Sequence, residues 1–280
     1  MSDPRFIGVF DSGVGGLSVW REIARQLPHE RTLYMADQAH VPYGSRQLAE
    51  VRELSAGVTR FLLDHGAKII VIACNTASAA ALHYLRRAFP TVPFVGMEPA
   101  VKPAVERTHN GVVGVIATPA TFQGELFASL VARYAAGVRV LTRACPGLVE
   151  AVEAGRLDTP ETEALLRQVL APLVEGGVDQ LVLGCTHYPF LRPAIERVVG
   201  TNVAVIDPAP AIARQTGRVL AHRGLEAGPA AGHHVFYTSG DAAAFSTMIQ
   251  CLVPCVGEGV QVRVARWREG DLQAHRSLVL

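Results

Sequence analysis

Ile69-Ile70-Val71-Ile72-Ala73-Cys74-Asn75-Thr76 and, 111 positions beyond it, Leu181-Val182-Leu183-Gly184-Cys185-Thr186-His187 decide the fold. Each opens with an apolar run rich in β-branched residues or leucine, which reads as a strand buried on both faces. Each closes with a thiol followed by short polar groups, where a parallel strand hands over to a loop. Open α/β sheets place their ligands at that end. Two thiols delivered in this way predict a site with sulfur on both sides of a substrate.

The two runs belong to a longer internal repeat. Val92-Pro93-Phe94-Val95-Gly96-Met97-Glu98-Pro99-Ala100 matches Val203-Ala204-Val205-Ile206-Asp207-Pro208-Ala209, again 111 positions apart. Ile7-Gly8-Val9-Phe10-Asp11-Ser12-Gly13 resembles Val113-Gly114-Val115-Ile116-Ala117-Thr118-Pro119, at an offset of 106. Three matches in one order at nearly one offset indicate a duplicated unit of domain size. Two such halves facing each other form a cleft with pseudo-twofold symmetry. The expected division is residues 1–97 with 208–280 as one α/β domain, and 98–207 as the other.

Between these landmarks strand and helix patterns alternate. Strands are expected over Phe6–Phe10, Thr32–Ala36 and Lys68–Ala73, and helices over Leu17–Leu27 and Ala77–Phe89. Leu48, Val51, Leu54, Val58, Phe61 and Leu62 mark one face of a helix from Arg46 to His65, which Gly66 ends. Thr159-Pro160 starts another, with Leu166, Val169, Leu170 and Leu173 on its apolar face and Gly176-Gly177 at its end. This alternation calls for parallel sheets flanked by helices. Leu225–His234, rich in Gly, Ala and Pro, reads as a linker, and Val235–Leu280 as a mixed C-terminal extension with a helix near Asp241–Leu252.

With 280 residues, 49% hydrophobic and 18% charged, the chain can bury sizeable cores. Its net charge of +1 gives no electrostatic case for nucleic acid or anionic membrane as a partner. No signal peptide or membrane-length apolar run is evident, so a cytoplasmic location is expected. The odd count of five cysteines does not suggest a disulfide framework.

Asp11-Ser12-Gly13-Val14-Gly15-Gly16 lies between a strand and a helix, where glycines allow a tight turn and helix N–H groups face an anion. It lacks the Gly-Lys-Ser/Thr ending of a phosphate-binding loop, so a carboxylate suits it better than a nucleotide. Pro42-Tyr43-Gly44 follows the second strand and falls at the same sheet edge. Zinc would need ligands beyond Cys74, Cys185 and His187, and neither cysteine lies in a C-x-x-C pair. A Cys/His hydrolase would use one thiol and leave its duplicate unexplained. Cys145, Cys251 and Cys255 read as packing residues.

Taken together, Asp11-Ser12-Gly13-Val14-Gly15-Gly16-Leu17, Pro42-Tyr43-Gly44, Ala73-Cys74-Asn75-Thr76-Ala77-Ser78 and Gly184-Cys185-Thr186-His187-Tyr188-Pro189 resemble the glutamate racemases of the cofactor-independent aspartate/glutamate racemase superfamily. The likeness runs from Ile7 to Asp207, with an echo at Ser239-Gly240-Asp241. It implies two α/β domains with the active site in the cleft between them. It implies Cys74 and Cys185 as the acid/base pair, Asp11 assisting Cys74 and His187 assisting Cys185, with Cys74 serving the D-enantiomer and Cys185 the L-enantiomer. By the same likeness Asp11, Ser12, Tyr43, Gly44, Asn75, Thr76, Thr118, Thr121, Thr186 and His187 contact glutamate, and Glu153 pairs with His187. No cofactor and no metal are implied. The expected role is supply of D-glutamate for peptidoglycan, hence cell-wall biogenesis and cell shape, by an enzyme that can form a homodimer. Asp37-Gln38-Ala39-His40-Val41 departs from the Ala-Arg ending common in the family before Pro-Tyr-Gly, and Glu98-Pro99-Ala100-Val101-Lys102 follows one branch of it.

Inverting an α-carbon means removing a weakly acidic proton from one face and delivering one to the other, which suits two opposed groups. A free thiol ionises near about 8.5, so neighbours must set which sulfur is charged. A related decarboxylase, or a hydantoin or aspartate racemase, would share the fold. A two-lobed amino-acid-binding protein would explain the duplication without needing the thiols.

Overall fold

The computed structural model describes residues 2–230, 232–254 and 261–274. In the first half the order is β1 (Phe6–Asp11), α1 (Leu17–Gln26), β2 (Arg31–Ala36), α2 (Leu48–Asp64), β3 (Ala67–Ile72), α3 (Asn75–Ala88) and β4 (Phe94–Gly96). The chain then crosses to α4 (Val101–Arg107), β5 (Val112–Ala117), α5 (Pro119–Gln123), α6 (Glu125–Tyr134), β6 (Arg139–Ala144), α7 (Leu148–Glu153), α8 (Pro160–Glu175), β7 (Gln180–Gly184), α9 (Arg192–Val199) and β8 (Ala204–Ile206). It returns with α10 (Ala209–Arg223), β9 (His234–Thr238), α11 (Ala242–Leu252), β10 (Val262–Arg268) and β11 (Asp271–Ala274).

The strands form two sheets. The first runs β11-β10-β9-β2-β1-β3-β4 and the second β6-β5-β7-β8. The order β2-β1-β3-β4 is therefore repeated as β6-β5-β7-β8, with all neighbours in both runs parallel. The three sequence matches fall on equivalent places: β1 with β5, the ends of β3 and β7, and β4 with β8. The pseudo-symmetry read from the repeat is thus a property of the fold, which has two α/β domains with parallel sheets flanked by helices.

Alternation along the strands explains how the sheets are covered. Ile69 and Val71 enter one hydrophobic cluster, Ile70 and Ile72 the other, and all are fully buried. In the second sheet Val113 and Val115 face one cluster and Ile116 the other. Successive side chains point to opposite faces, so a strand covered on both sides must be apolar throughout. Each such Val or Ile contributes roughly 1.5–3 kcal/mol by leaving water. Edge strand β6 is half-exposed and correspondingly mixed in sequence.

The helix starts follow local chemistry. Thr159 caps α8 by accepting the Thr162 N–H, Pro160 occupies its first turn, and Gly177 turns out of it at φ +81°. Helix α2 begins at Leu48 rather than Arg46, because a short 3-10 turn over Tyr43–Ser45 precedes it.

The C-terminal extension, expected within the first domain, continues its sheet, since β9 pairs in parallel with β2 and β10 with β9. One expectation changes. Cys251 is exposed rather than packed, because the buried face of α11 is Phe245, Ile249 and Leu252 and residue 251 falls off it. Cys145 is buried as expected, and Cys255 lies outside the described residues. Among the described residues no helix is long and apolar enough to cross a membrane.

Candidate active site

The C-terminal ends of four equivalent strands converge. Asp11 closes β1, Cys74 follows β3 by one residue past Ala73, Thr118 follows β5 and Cys185 follows β7. Asp11, Ser12, Pro42, Tyr43, Gly44, Cys74, Asn75, Thr76, Thr118, Val149, Cys185, Thr186 and His187 line one small cavity of about 10 Å³, room for about one water. The two cysteines, one from each sheet, are 5% and 7% exposed, so this space is nearly sealed. A larger cavity of about 630 Å³, bordered by Arg86, Lys102 and Arg218, contains neither thiol.

The thiols have different neighbours. Cys74 caps α3, its Sγ accepting the Ala77 N–H at 3.5 Å. Burial first, and then the nearby Asp11 charge, push its pKa well above the ordinary thiol range, which keeps it protonated. Asp11 is fully buried and accepts the Gly16 N–H at 2.7 Å. Burial raises its pKa, opposed by the His187 charge and the bond to Cys74.

On the other side His187 Nδ1 stands 3.7 Å from Cys185 Sγ, and its Nε2 donates to Glu153 Oε1 at 2.7 Å. Burial alone would lower the imidazole pKa. Bonds to Cys185 and Glu153 outweigh it and raise the value well above 6.5, so His187 is an imidazolium at neutral pH. Burial would raise Glu153, but its bond to His187 prevails and holds it lowered and ionised.

Glu153 also ties the domains together. Its Oε1 accepts the Val14 N–H at 2.8 Å, and Oε2 stands 3.4 Å from the Gln38 amide. This close approach explains two glycines of the first loop. A Cβ on Gly13 would lie 1.9 Å from Glu153 Oε1, and one on Gly15 would lie 2.3 Å from His187 Nδ1. Only a residue without a side chain fits either place.

The polar lining is uneven in its satisfaction. Thr76 and Thr118 hydroxyls meet across the domains at 2.9 Å, and Thr118 meets Thr121 at 3.0 Å. Thr186 Oγ1 reaches Asp11 at 3.5 Å. Asn75, 3% exposed, has no hydrogen-bond partner on either side-chain atom. A buried amide left empty costs free energy, so it reads as held ready for a ligand. Helix α3 starts at that residue, and its free N–H groups favour an anion.

All the residues singled out in the sequence thus gather at one place, except that Thr121 and Glu153 stand one layer back, behind Thr118 and His187. Sequence reading missed Val149 in the lining, and Ser18, whose hydroxyl stands 2.9 Å from the Thr186 carbonyl. It also missed Asp37 behind Tyr43. Ser18 lies on the first turn after the glycine loop and Asp37 just after β2, which are the positions where such helpers belong. Among the described residues no three His, Cys, Asp or Glu side chains are grouped to hold a metal ion. Chemically, two opposed thiols with an acid beside one and an imidazolium beside the other can take a proton from one face of a carbon and return one to the other.

The Asp/Glu/Hydantoin racemase family profile matches residues 7–216. A glutamate racemase of Roseiflexus sp. (strain RS-1) is 51% identical over 260 residues, covering 91% of this chain and 96% of that protein. A solved glutamate racemase isoform of Bacillus anthracis is 34% identical with a TM-score of 0.86, covering 95% of this chain and 98% of that one. A glutamate racemase of Francisella tularensis subsp. tularensis SCHU S4, solved in complex with D-glutamate, is 29% identical with a TM-score of 0.80, covering 93% and 97%.

Proposed function

The chain belongs to the Asp/Glu/Hydantoin racemase family and is an amino-acid racemase, and from that premise we propose that it interconverts L- and D-glutamate through Cys74 and Cys185. The observation that carries this reading is the pair of buried thiols, delivered from equivalent strand ends into one cavity. The choice of glutamate is supported by the three relatives named above, each a glutamate racemase, one of them solved with D-glutamate. A cavity with an empty buried amide and a helix N-terminus suits a carboxylate.

In the L-to-D direction Cys185 is the base. As a thiolate paired with the His187 imidazolium, it takes the α-proton. Cys74, held as a thiol, gives its proton to the opposite face. The product leaves with inverted configuration, Cys185 is now a thiol and Cys74 a thiolate, and the D-to-L reaction runs this in reverse. Asp11, whose raised pKa lets it carry a proton, serves the Cys74 side. Glu153 keeps His187 charged and oriented. Donors around Asn75-Thr76 and Thr186-His187 hold the carboxylates and stabilise negative charge developing at the α-carbon. Ser12, Tyr43, Gly44 and Thr118 complete the contacts, with Thr121 supporting Thr118. The reaction needs neither metal nor organic cofactor.

The wider role follows from the reaction. D-Glutamate supplied in the cytoplasm feeds peptidoglycan, and so cell-wall biogenesis and cell shape. The working unit can be a homodimer. Domain boundaries at 97/98 and 207/208 are supported by the strands, β4 ending at Gly96 and β8 at Ile206.

Circular dichroism of each pure glutamate enantiomer, incubated with chelator-dialysed protein and no added cofactor, tests this. The signal should decay to zero from either side, with solvent deuterium entering the α-position. A signal that never changes, or that returns only with added metal, would refute it.

A further inference from the structure

Behind the Tyr43 wall of the cavity sits a carboxylate that takes no part in the proton transfers. Asp37, fully buried just after β2, gathers four side chains. Tyr43 donates its hydroxyl to Oδ2 at 2.7 Å, and Ser239 donates to Oδ1 at 2.7 Å. The Trp267 indole N–H also donates to Oδ1 at 2.7 Å, and His40 Nδ1 stands 3.0 Å from Oδ2. Ser239 in turn accepts the Ala39 N–H at 2.9 Å, so the loop itself is pinned to the same hub.

A buried carboxylate is a poor means of gaining stability, because desolvation offsets much of what its bonds return. What it supplies is direction, since each donor must point at a fixed oxygen. The direction matters here because the next residues form the cavity wall. Tyr43 and Gly44 line the cavity, and a Cβ on Gly44 would sit 2.7 Å from Thr118 Cβ in the second domain. Moving Tyr43 therefore moves a surface that touches both the substrate space and the opposite lobe.

Trp267 comes from β10, outside residues 7–216 that match the family profile. Its ring meets the His40 ring edge-on at 5.2 Å, and a Cβ on Gly57 of α2 would lie 2.6 Å from it. The indole is thus wedged between α2 and the Asp37 loop, with its N–H aimed at the hub.

We propose that Asp37 is a positioning residue for the racemisation: it fixes the Tyr43–Gly44 wall, and Trp267 fixes Asp37, so that the C-terminal hairpin tunes substrate binding. This rests on the reading of the cavity as the glutamate site. The wall holds substrate and transition state alike, whereas the acid/base groups lie elsewhere. Loosening it should raise KM while leaving kcat nearly unchanged.

The test is steady-state racemisation of both enantiomers by the wild type, Trp267→Phe, Tyr43→Phe and the double variant, with thermal unfolding run in parallel. Phenylalanine removes the N–H and part of the ring that packs on Gly57, so the parallel melts and the comparison between backgrounds separate the lost bond from the lost packing. A hydrogen bond to a charged group corresponds to a factor of about ten, so Trp267→Phe should raise KM about tenfold for both enantiomers. In the Tyr43→Phe background the same change should alter KM less than about twofold, because the link it acts through is gone. Ser239→Ala removes the other Oδ1 donor without touching the hairpin and should act in the same sense, which covers a Trp267 variant that does not fold. An unchanged KM in Trp267→Phe, or an equal effect in both backgrounds, would overturn the positioning role alone. A wild type that does not racemise glutamate would instead overturn the reading of the cavity, and this proposal with it.

Discussion

Replacing Glu153 by glutamine isolates the role of one charge. The side chain keeps its shape and an acceptor where Oε1 now binds Val14 N–H and His187 Nε2, but it no longer stabilises the imidazolium. Both partners are largely buried, with side chains 15% and 3% exposed, so the loss is not washed out by solvent. A hydrogen bond to a charged group contributes about 1.5–3 kcal/mol, and a factor of ten in protonation corresponds to about 1.4 kcal/mol. The alkaline limb of kcat for L-glutamate should therefore move down by roughly 1–2 pH units, because Cys185 then loses its imidazolium partner at lower pH. Above the new limb kcat/KM should fall about 10–100-fold, equally in both directions, since the equilibrium constant fixes their ratio. Stability should follow with a definite sign. The raised His187 contributes stability that is complete below 6.5 and is lost as pH climbs through its folded value. The lowered Glu153 contributes stability that is present above 4.5 and is lost as pH falls through its folded value. The Tm gap between wild type and variant should thus be widest between those limits and close towards either extreme. Circular-dichroism kinetics across pH, with thermal melts in the same buffers, measure both. Rate profiles that superpose on the wild type would refute the charge relay from Glu153 through His187 to Cys185.

Cys74→Ser and Cys185→Ser should each abolish racemisation with Tm nearly unchanged, because a serine hydroxyl is far less acidic than a thiol; near-normal turnover by either variant would remove that sulfur from the mechanism. Asp11→Asn and His187→Asn should affect the two directions unequally in kcat, KM or solvent isotope effect, and identical directional profiles would show that the helpers are not side-specific. Gly15→Ala should cost about 1–3 kcal/mol and most of the activity, since its Cβ would press 2.3 Å from His187 Nδ1. Gly66→Ala is the control: it meets open space but holds φ +84°, so it should lower Tm by an equivalent of about 1 kcal/mol and leave kcat alone.

The fold was legible because a parallel sheet covered on both faces leaves apolar runs that nothing else explains, and because the chain states its unit twice. The equivalence of β1-β3-β4 with β5-β7-β8 could be read from offsets alone. What could not be read were the pieces without a repeated partner. Strands β9 to β11 have no counterpart in the second half, and β10 alternates exposed and half-buried residues with a single buried one at Ala265. Its pairing with β9 depends on a sheet edge that only the folded first half provides. Trp267 could be seen as an aromatic in a mixed extension, but its target, Asp37, is 230 residues away.

The site shows the same division between what is repeated and what is not. The thiols are duplicated, and each sits where its strand ends, so the symmetry of the scaffold accounts for them. Their helpers break that symmetry. Asp11 ends β1, whereas Ala117 ends β5, and Asn75 follows Cys74, whereas Thr186-His187 follow Cys185. Glu153 reaches His187 from α7, and Asp37 reaches Tyr43 from just after β2, through contacts that no spacing rule encodes. If the cavity racemises glutamate as proposed, the symmetric scaffold presents two equivalent proton carriers to the two faces of one carbon. Glutamate itself is not symmetric, and its carboxylates and amino group must be bound the same way in both enantiomers. Equal thiols in unequal surroundings meet both demands: Cys74 is kept protonated by burial and Asp11, while Cys185 faces an imidazolium. On the proposed mechanism, the asymmetry of the helpers is therefore what lets one cavity hold a base on one side and an acid on the other at the same moment.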